Sequence, residues 1–334
     1  MNLKSINLLT HNDLDGEACA IVTKYCAGII GVPCHVTMTS NADLEKNFDV
    51  WQEWMTVGAE GSLNIISDLP LGPLATKFRD LKSCEITHER IRDDNPVVSV
   101  MIIDHHIDSI TNKALEMINY ECATEITSNT GYACKTCAAL LVWRYFKEYF
   151  YLDIDELYEF VSLVRDWDTH AYPATLNPLA QKYNLLYFQM GAEWFEEYIL
   201  DHVYRGKSLS SMDPTVETLC QRLINTVSIE VRKRSNSDLW KEAVIADTEV
   251  LITICDNKSL YSDLGAAVSE ASGKACMMID SFGACSLRSS GDVDCNRIAK
   301  LFGGGGHLNA AGCRISEKEF RAILNGEYAN HKVV

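Results

Sequence analysis

Three apolar, strand-like segments of this chain run directly into carboxylates and imidazoles. The segments are residues 6–10 before the sequence HNDLDG at 11–16, residues 63–67 before Asp68, and residues 97–103 before the sequence DHH at 104–106. Polar groups at the end of a buried strand cost free energy unless they bind something. Because ligands bind outside the carboxyl ends of the strands in an open parallel sheet, we expect the three clusters to lie at one edge of one sheet.

The order of apolar runs predicts an α/β protein with two domains. The first 170 residues alternate short apolar runs with longer helix-like stretches, which is typical of a parallel sheet with helices on both faces. We predict an N-terminal domain at 1–190, a helical connector at 191–237 and a smaller C-terminal α/β domain at 238–334. The predicted helices lie at 16–28, 41–61, 72–82, 136–150, 155–165 and from about Glu317, and the later strands at 243–246, 249–254, 275–279 and 284–288.

The balance of charges limits the partners of the chain. With 30 Lys and Arg against 46 Asp and Glu, the formal net charge is −16. Nonspecific attraction to long nucleic acid requires basic residues that neutralise phosphates, so we do not expect a long-strand partner. A short anionic substrate remains compatible, because bound cations dominate the field inside a site. The sequence has no secretory start and no apolar stretch that could cross a bilayer, so we expect a soluble, cytoplasmic protein without a membrane partner.

The polar residues at the predicted strand ends form a candidate metal site: His11, Asp13, Asp15, Asp68, Asp104, His105 and one of Asp166 or Asp168. Several carboxylates cannot share a site in ionised form without a cation, because like charges raise their pKa values. Two divalent ions roughly 4 Å apart would relieve this repulsion and activate water for attack on phosphorus. The mixture of carboxylate and imidazole suits manganese better than calcium or a thiolate zinc site. The alternative is that each residue is a cap or loop residue, since Asp after a strand is a common helix N-cap.

A run of four glycines, Gly303–Gly306, precedes His307 near the end of the chain. Without side chains, consecutive backbone amides can approach an anion closely, and the histidine could donate to a phosphate. As a pattern alone, four glycines more often form a flexible turn. The run is neither a Walker loop nor a dinucleotide-binding fingerprint, because it lacks Gly-Lys-Thr and does not follow a first strand.

Five stretches of the sequence together resemble the DHH phosphoesterase family with its DHH-associated C-terminal domain, a group that includes oligoribonucleases. They are HNDLDG at 11–16, the isolated Asp68, DHH at 104–106, DWDT at 166–169 and GGGGHLNAAG at 303–312. The likeness covers nearly the whole chain in the expected order. It implies an N-terminal catalytic domain with a parallel sheet and a C-terminal substrate-binding domain with a mixed sheet.

The resemblance also implies a role for each candidate residue. Asp68 would bridge two Mn²⁺ ions, for which Mg²⁺ or Co²⁺ could substitute. The implied ligand sets are His11, Asp13 and Asp68 for one ion, and Asp15, Asp68, His105 and Asp168 for the other. Asp104 would orient a ligand histidine, as metal-bound imidazoles usually require, and His106 would face the substrate phosphate. The fourth motif of the family usually reads Asp-Thr, which favours Asp168, but the sequence DWD leaves Asp166 open.

In the family the C-terminal domain binds the terminal phosphate and the nucleotide of the substrate. Arg288 suits a bidentate contact with phosphate. Its alternative interpretation is a solvated arginine beside a turn. The residues that the resemblance assigns to substrate binding are Arg288, Ser289, Gly304, Gly305, Gly306 and His307.

The expected function is a manganese-dependent phosphodiesterase that hydrolyses short oligonucleotides or dinucleotides to mononucleotides by two-metal activation of water. The alternative substrates are cyclic dinucleotides and phosphoadenosine phosphate, which the motifs do not separate from short oligonucleotides. Inorganic pyrophosphate is disfavoured, because that branch of the family has a different C-terminal domain. A hypothesis of a different class is an inactive nucleotide-binding sensor, whose sign would be a missing metal ligand. Assembly as a homodimer is left open.

Overall fold

The structure, a computed structural model, describes residues 3–57, 61–71, 99–106, 119–123, 125–127, 133–169, 178–235 and 238–328. The chain divides into two compact units, Met1–Glu217 and Thr218–Val334. The division falls within the predicted connector at 191–237, and the predicted domain boundaries themselves stay a prediction. The helix predicted at 72–82 lies outside the described residues.

The first unit contains a parallel sheet in the strand order β2-β1-β3-β4-β5. Its strands are β1 Ser5–His11, β2 Cys34–Thr39, β3 Ser62–Ser67, β4 Ser99–Asp104 and β5 Asn119–Cys122. All four neighbouring pairs are parallel. Because β1, β3 and β4 are neighbours, their carboxyl ends lie side by side, and the polar residues after each strand meet at one edge.

Helices pack on both faces of this sheet. Phe48 and Trp51 of α2 pack on one face against Leu9 and Ile66, and α1 packs against β1 and α3. A two-stranded antiparallel sheet, β6 Glu125–Thr127 and β7 Ala133–Lys135, precedes α3. The helices are α1 Leu14–Ile30, α2 Leu44–Val57, α3 Ala138–Tyr149, α4 Tyr158–Asp168, α5 Pro178–Met190, α6 Ala192–Tyr204 and α7 Pro214–Ser235, which crosses the division.

The second unit contains a mixed sheet in the order β12-β13-β11-β10-β9-β8. Strands β9 and β10 are parallel, and the other neighbours are antiparallel. Its strands are β8 Lys241–Ile245, β9 Thr248–Ile254, β10 Ala275–Ile279, β11 Ala284–Arg288, β12 Gly305–Gly306 and β13 Ala310–Arg314. Its helices are α8 Tyr261–Ser272, α9 Cys295–Lys300 and α10 Glu317–Leu324.

The predicted α/β fold, with a parallel sheet in the N-terminal part and a mixed sheet in the C-terminal part, is confirmed. The sequence reading missed β2 and the short strands β5, β6 and β7, which lack a long apolar run. In the part of the chain that the structure describes, no helix combines the length and the apolar character needed to cross a membrane.

Candidate metal centre

Asp68 lies at the middle of the polar edge, directly after β3. Its side chain is buried, with 3% exposure. Oδ1 lies 3.3 Å from His105 Nε2, and Oδ2 lies 4.0 Å from His11 Nδ1. Its backbone has a φ of 55°, which non-glycine residues adopt uncommonly and Asp more readily than most. A buried carboxylate on a strained backbone therefore faces one histidine with each oxygen, and such strain is concentrated at functional sites.

The first group of candidate ligands is His11, Asp13 and Asp68, whose ligand atoms all lie within 4.8 Å of one another. His11 ends β1, and its Nδ1 lies 2.8 Å from Asp13 Oδ2. Asp13 is also the N-cap of α1, because its Oδ1 accepts the Gly16 N–H at 3.1 Å. Burial opposes the charged forms, but the contact between the two side chains raises the pKa of His11 and holds the pKa of Asp13 well below its usual range.

The second group is Asp15, His105 and Asp168, again within 4.8 Å. His105 Nε2 lies 3.7 Å from Asp15 Oδ2, and its Nδ1 lies 3.6 Å from Asp168 Oδ2. The same Nδ1 lies 3.2 Å from the Thr136 carbonyl. If Nδ1 donates to this carbonyl, the lone pair of Nε2 faces Asp68 and Asp15, as a metal-ligating histidine requires.

Asp15 is held by the N-terminus of α3. Its Oδ2 accepts the Ala138 N–H at 2.7 Å, and its Oδ1 accepts the Ala139 N–H at 2.9 Å. Cys137, at the N-cap position, forms no side-chain cap hydrogen bond, so the carboxylate from α1 satisfies the first amides of this helix. Asp15 is therefore both a helix cap and a candidate ligand, which joins the two interpretations that the sequence left open.

The structure separates the two candidate aspartates of the fourth motif. Asp168, the last residue of α4, lies in the cluster beside His105. Asp166 instead pairs with its neighbour Arg165, whose Nη2 lies 2.6 Å from Asp166 Oδ1. The geometry thus brings Asp168, and not Asp166, to the other candidate ligands.

Asp104 and His106 form a buried pair beside the cluster. Asp104 Oδ1 lies 2.9 Å from His106 Nδ1, and the His106 ring packs edge-on against His105 with centroids 4.8 Å apart. Asp104 was expected to orient a metal-ligating histidine, but this contact is with His106, the histidine predicted to face the substrate.

Gly16 allows α1 to start against the end of β1. A Cβ atom at this position would lie 1.9 Å from the His11 carbonyl oxygen. This close approach places Asp13 and Asp15 next to His11. The sequence placed Gly16 at the end of the HNDLDG motif and at the start of the predicted helix 16–28, but it did not predict this close approach to β1. The α3 amides and the Thr136 carbonyl were also missed, because backbone groups leave no sequence signal.

The electrostatics of the cluster favour the binding of a cation. Burial raises the pKa of Asp68 well above its usual value, and the Asp13 and Asp15 carboxylates raise it further. Burial also raises the pKa of Asp168 to about 7, against the opposing effect of His105. The raised pKa values mean that Asp68 and Asp168 favour their protonated forms when no cation is near. A divalent cation would replace these protons.

The residues present fit a divalent metal ion. The donors are carboxylate oxygens and imidazole nitrogens, both of which bind divalent metal ions. Among the described residues, Asp68 Oδ2 has no hydrogen-bond partner within ordinary limits although it is buried. A buried carboxylate oxygen without a partner is costly, and a cation would satisfy it.

In the second unit the glycine run forms an edge strand. Gly305 and Gly306 pair with Gly312 and Ala311 of β13. A Cβ at Gly304 would lie 2.1 Å from the Gly312 oxygen, and one at Gly306 would lie 2.6 Å from the Ala310 oxygen. Close packing on β13 thus requires these two glycines. The amides of Gly303, Gly304 and His307 donate to backbone carbonyls within the unit, so anion binding by the run stays a prediction.

Arg288 and Ser289 lie at the end of β11. Arg288 Nη1 donates to Ser286 Oγ at 2.8 Å and to the Leu287 carbonyl at 2.9 Å. Ser289 Oγ donates to the Val293 carbonyl at 2.9 Å. A Cβ at Gly265 of α8 would lie 2.5 Å from Arg288 Cβ, so the absence of a side chain there makes room for the arginine.

Comparisons with known proteins agree with this architecture. Residues 249–327 match the DHHA1 domain. The chain is 24% identical over 335 residues to oligoribonuclease NrnB of Bacillus subtilis (strain 168), covering 95% of this chain and 75% of that protein. It is 21% identical over 363 residues to a 3′,5′-cyclic-nucleotide phosphodiesterase of Helicobacter pylori (strain ATCC 700392 / 26695), covering 95% and 94%. The crystal structure of exonuclease RecJ bound to manganese shares the fold, with a TM-score of 0.56 and 14% identity over 99% of this chain and 91% of that one.

Proposed function

Because the chain is related to the DHH phosphoesterases and carries a DHHA1 domain, as its motifs predicted, we propose that it hydrolyses short oligonucleotides or dinucleotides to mononucleotides with two Mn²⁺ ions. The observation that carries the proposal is the position of Asp68, whose two oxygens face the histidines of two separate ligand groups. When bound, the two cations supply Lewis-acid chemistry, because they activate water and neutralise the charge that develops on the phosphate oxygens.

The residues of the first unit divide into ligands and substrate contacts. Asp68 would bridge the cations; the first would be held by His11 and Asp13, and the second by Asp15, His105 and Asp168. Asp104 Oδ1 accepts a hydrogen bond from the Nδ1–H of His106, which orients the ring. The substrate phosphate would then lie on the Nε2 side of the ring, where only a protonated Nε2 could donate to it. In the second unit, Arg288 and Ser289 would bind the substrate phosphate, together with Gly304, Gly305, Gly306 and His307.

The distribution of charge supports a short substrate. The whole of the net negative charge lies in Met1–Glu217, while Thr218–Val334 carries equal numbers of acidic and basic residues. Neither unit therefore has an excess of basic residues that could follow a long polyanion. The similarity to a protein named oligoribonuclease NrnB supports short oligoribonucleotides as the substrate class.

Cyclic nucleotides are the second candidate substrate class. The similarity to a protein named 3′,5′-cyclic-nucleotide phosphodiesterase supports this class, and this chain covers nearly the whole length of that protein. Cyclic dinucleotides and phosphoadenosine phosphate belong to the same group of alternatives. An inactive nucleotide sensor is disfavoured, because each ligand position of the two groups holds a carboxylate or an imidazole.

The test is hydrolysis by the full chain with Mn²⁺ on di- to decanucleotides, 3′,5′-cyclic nucleotides, cyclic dinucleotides, phosphoadenosine phosphate and pyrophosphate. Asp68→Asn should lower kcat at least about 100-fold, because metal Lewis-acid stabilisation amounts to several kcal/mol and each 1.36 kcal/mol is tenfold. Asn tolerates the left-handed backbone at this position, whereas the Ala of Asp68→Ala would add strain, so Asp68→Asn is the cleaner variant. Asp166→Asn, which alters the pair with Arg165, is the matched control for Asp168→Asn.

Two results would reject the proposal. Full activity of Asp68→Asn on every active substrate would remove the bridging role. Nucleotide binding by the parent without hydrolysis of any substrate in the panel would favour the sensor.

A further inference from the structure

Two buried hydroxyl groups lie directly beneath the candidate metal centre. Thr10 and Ser67 are both 0% exposed, on neighbouring strands of the parallel sheet. Ser67 Oγ donates to Thr10 Oγ1 at 3.2 Å, and Thr10 Oγ1 donates onward to the Gly16 carbonyl at 3.4 Å. The three groups form one continuous chain of hydrogen bonds across β1, β3 and α1.

Each member of this chain is the sequence neighbour of a candidate ligand. Thr10 precedes His11, and Ser67 precedes Asp68. Gly16 follows Asp15 in the first turn of α1. The hydrogen bonds therefore join the three segments that supply these ligands, one residue away from the ligand in each case.

A thiol completes this buried layer. Cys19 of α1 is 0% exposed, and both hydroxyls are among the groups that influence its pKa. Burial raises the pKa of Cys19 well above its usual value, so the group stays an uncharged thiol. The Thr10 and Ser67 hydroxyls thus lie, hydrogen-bonded to each other and to the Gly16 carbonyl, at a fully buried place that apolar residues more often fill.

We propose that Thr10 and Ser67 are positioning residues whose hydroxyl pair fixes the spacing of the two ligand groups. The inference rests on the proposed metal-dependent function and adds to it two residues that do not touch the cations. Outer groups that orient metal ligands are a general feature of metal sites, and their loss costs roughly 10- to 100-fold in affinity.

The test is Mn²⁺ binding to the full chain by titration calorimetry, with the melting temperature in chelator measured in parallel. Thr10→Val keeps the shape and the β-branched character of the residue but removes the hydroxyl, and Ser67→Ala removes the partner. Each change should weaken Mn²⁺ binding by roughly 10- to 100-fold. The double variant should be little worse than either single one, because the two hydroxyls act as one unit. Thr10→Ser keeps the hydroxyl and should bind within about threefold of the parent, well inside the loss expected for an orienting group.

The same two strands offer a matched control. Asn7 Nδ2 donates to Asn64 Oδ1 at 2.7 Å, and this buried pair has the same sequence separation of 57 residues as Thr10 and Ser67. It lies three residues earlier on each strand, about 10 Å further from the site at 3.3 Å per residue. Asn7→Ala should lower the melting temperature in chelator, because it leaves Asn64 buried without this partner, but the Mn²⁺ dissociation constants should not change.

The outcomes separate this inference from the proposed function. A parent that binds Mn²⁺ while Thr10→Val and Ser67→Ala bind it equally well would overturn the positioning role and leave the proposed function intact. Equal weakening by Asn7→Ala would also overturn it, because general destabilisation would then explain the loss. A parent that binds no Mn²⁺ would overturn both.

Discussion

The replacement Gly16→Ala tests how closely α1 must approach the end of β1. The added Cβ would lie 1.9 Å from the His11 carbonyl oxygen, 2.5 Å from its carbonyl carbon and 2.9 Å from its nitrogen. All three contacts are with backbone, which cannot rotate away as a flexible side chain can. The contact with the oxygen is about 1.5 Å shorter than the 3.4 Å at which ordinary van der Waals contact begins. The start of α1 must therefore move away from β1 by more than about 1 Å.

This displacement has two separable consequences. Overpacking of a tightly packed contact costs about 1–3 kcal/mol, and the better helix propensity of Ala offsets up to about 1 kcal/mol of it. The net loss in the free energy of unfolding is therefore on the order of 1–2 kcal/mol. The larger effect falls on the site, because Asp13 and Asp15 move with the helix while His11 stays on the strand. A misplacement of about 1 Å costs roughly 100-fold in rate.

The assay combines chemical unfolding in chelator with Mn²⁺ titration and hydrolysis of the best substrate. Gly28→Ala is the matched control, since it lies in the same helix and its Cβ would meet nothing within 4 Å. Gly28→Ala should stabilise the protein by about 0.5–1 kcal/mol and leave Mn²⁺ binding unchanged. Gly16→Ala should bind Mn²⁺ weakly and lose activity far beyond its loss of stability. If Gly16→Ala bound Mn²⁺ and turned over substrate like Gly28→Ala, the close approach of α1 to β1 would not be what places Asp13 and Asp15.

Two further predictions concern the other unit and the cations. Gly265→Ala should push the Arg288 stem away and raise KM several-fold with little change in kcat, whereas Gly291→Ala, which has no neighbour within 4 Å, should leave steady-state kinetics unchanged. An unaltered KM for Gly265→Ala would remove Arg288 from substrate binding. Mn²⁺ at about 100 times its Kd should raise the free energy of unfolding of the parent by roughly 2.7 kcal/mol per site, and chelator should reverse this. If Mn²⁺ raised the melting temperature of Asp68→Asn as much as that of the parent, Asp68 would not be a ligand of both cations.

The position of the site could be predicted from the sequence because its signals are local. An apolar run followed by Asp68, or by Asp104 and His105, marks a strand end, and parallel strands deliver their ends to one edge. The strand order places β1, β3 and β4 next to each other, which brings these residues together. The family motif supplied the assignment of roles, which spacing alone left open.

Other features of the site had no sequence signal because they depend on backbone geometry. The left-handed conformation of Asp68 is set by the turn after β3, and Asp is common in many ordinary turns. The capping of α3 by Asp15 joins residues 123 and 124 positions apart through main-chain amides, which every sequence possesses. The choice between Asp166 and Asp168 likewise depends on which face of α4 meets the sheet edge.

The Thr10–Ser67 pair shows why such features matter for function. Taken singly, Thr10 and Ser67 are unremarkable strand residues next to a polar motif. The parallel register pairs Leu9 with Ile66, so these two residues come next on adjacent strands, one step before the ligands. The hydrogen bond between Thr10 and Ser67 joins the carboxyl ends of β1 and β3, directly after the last backbone pair of the two strands. In this proposal, the arrangement of the candidate ligands depends on residues whose side chains do not reach the substrate, and the register of the sheet places those residues side by side.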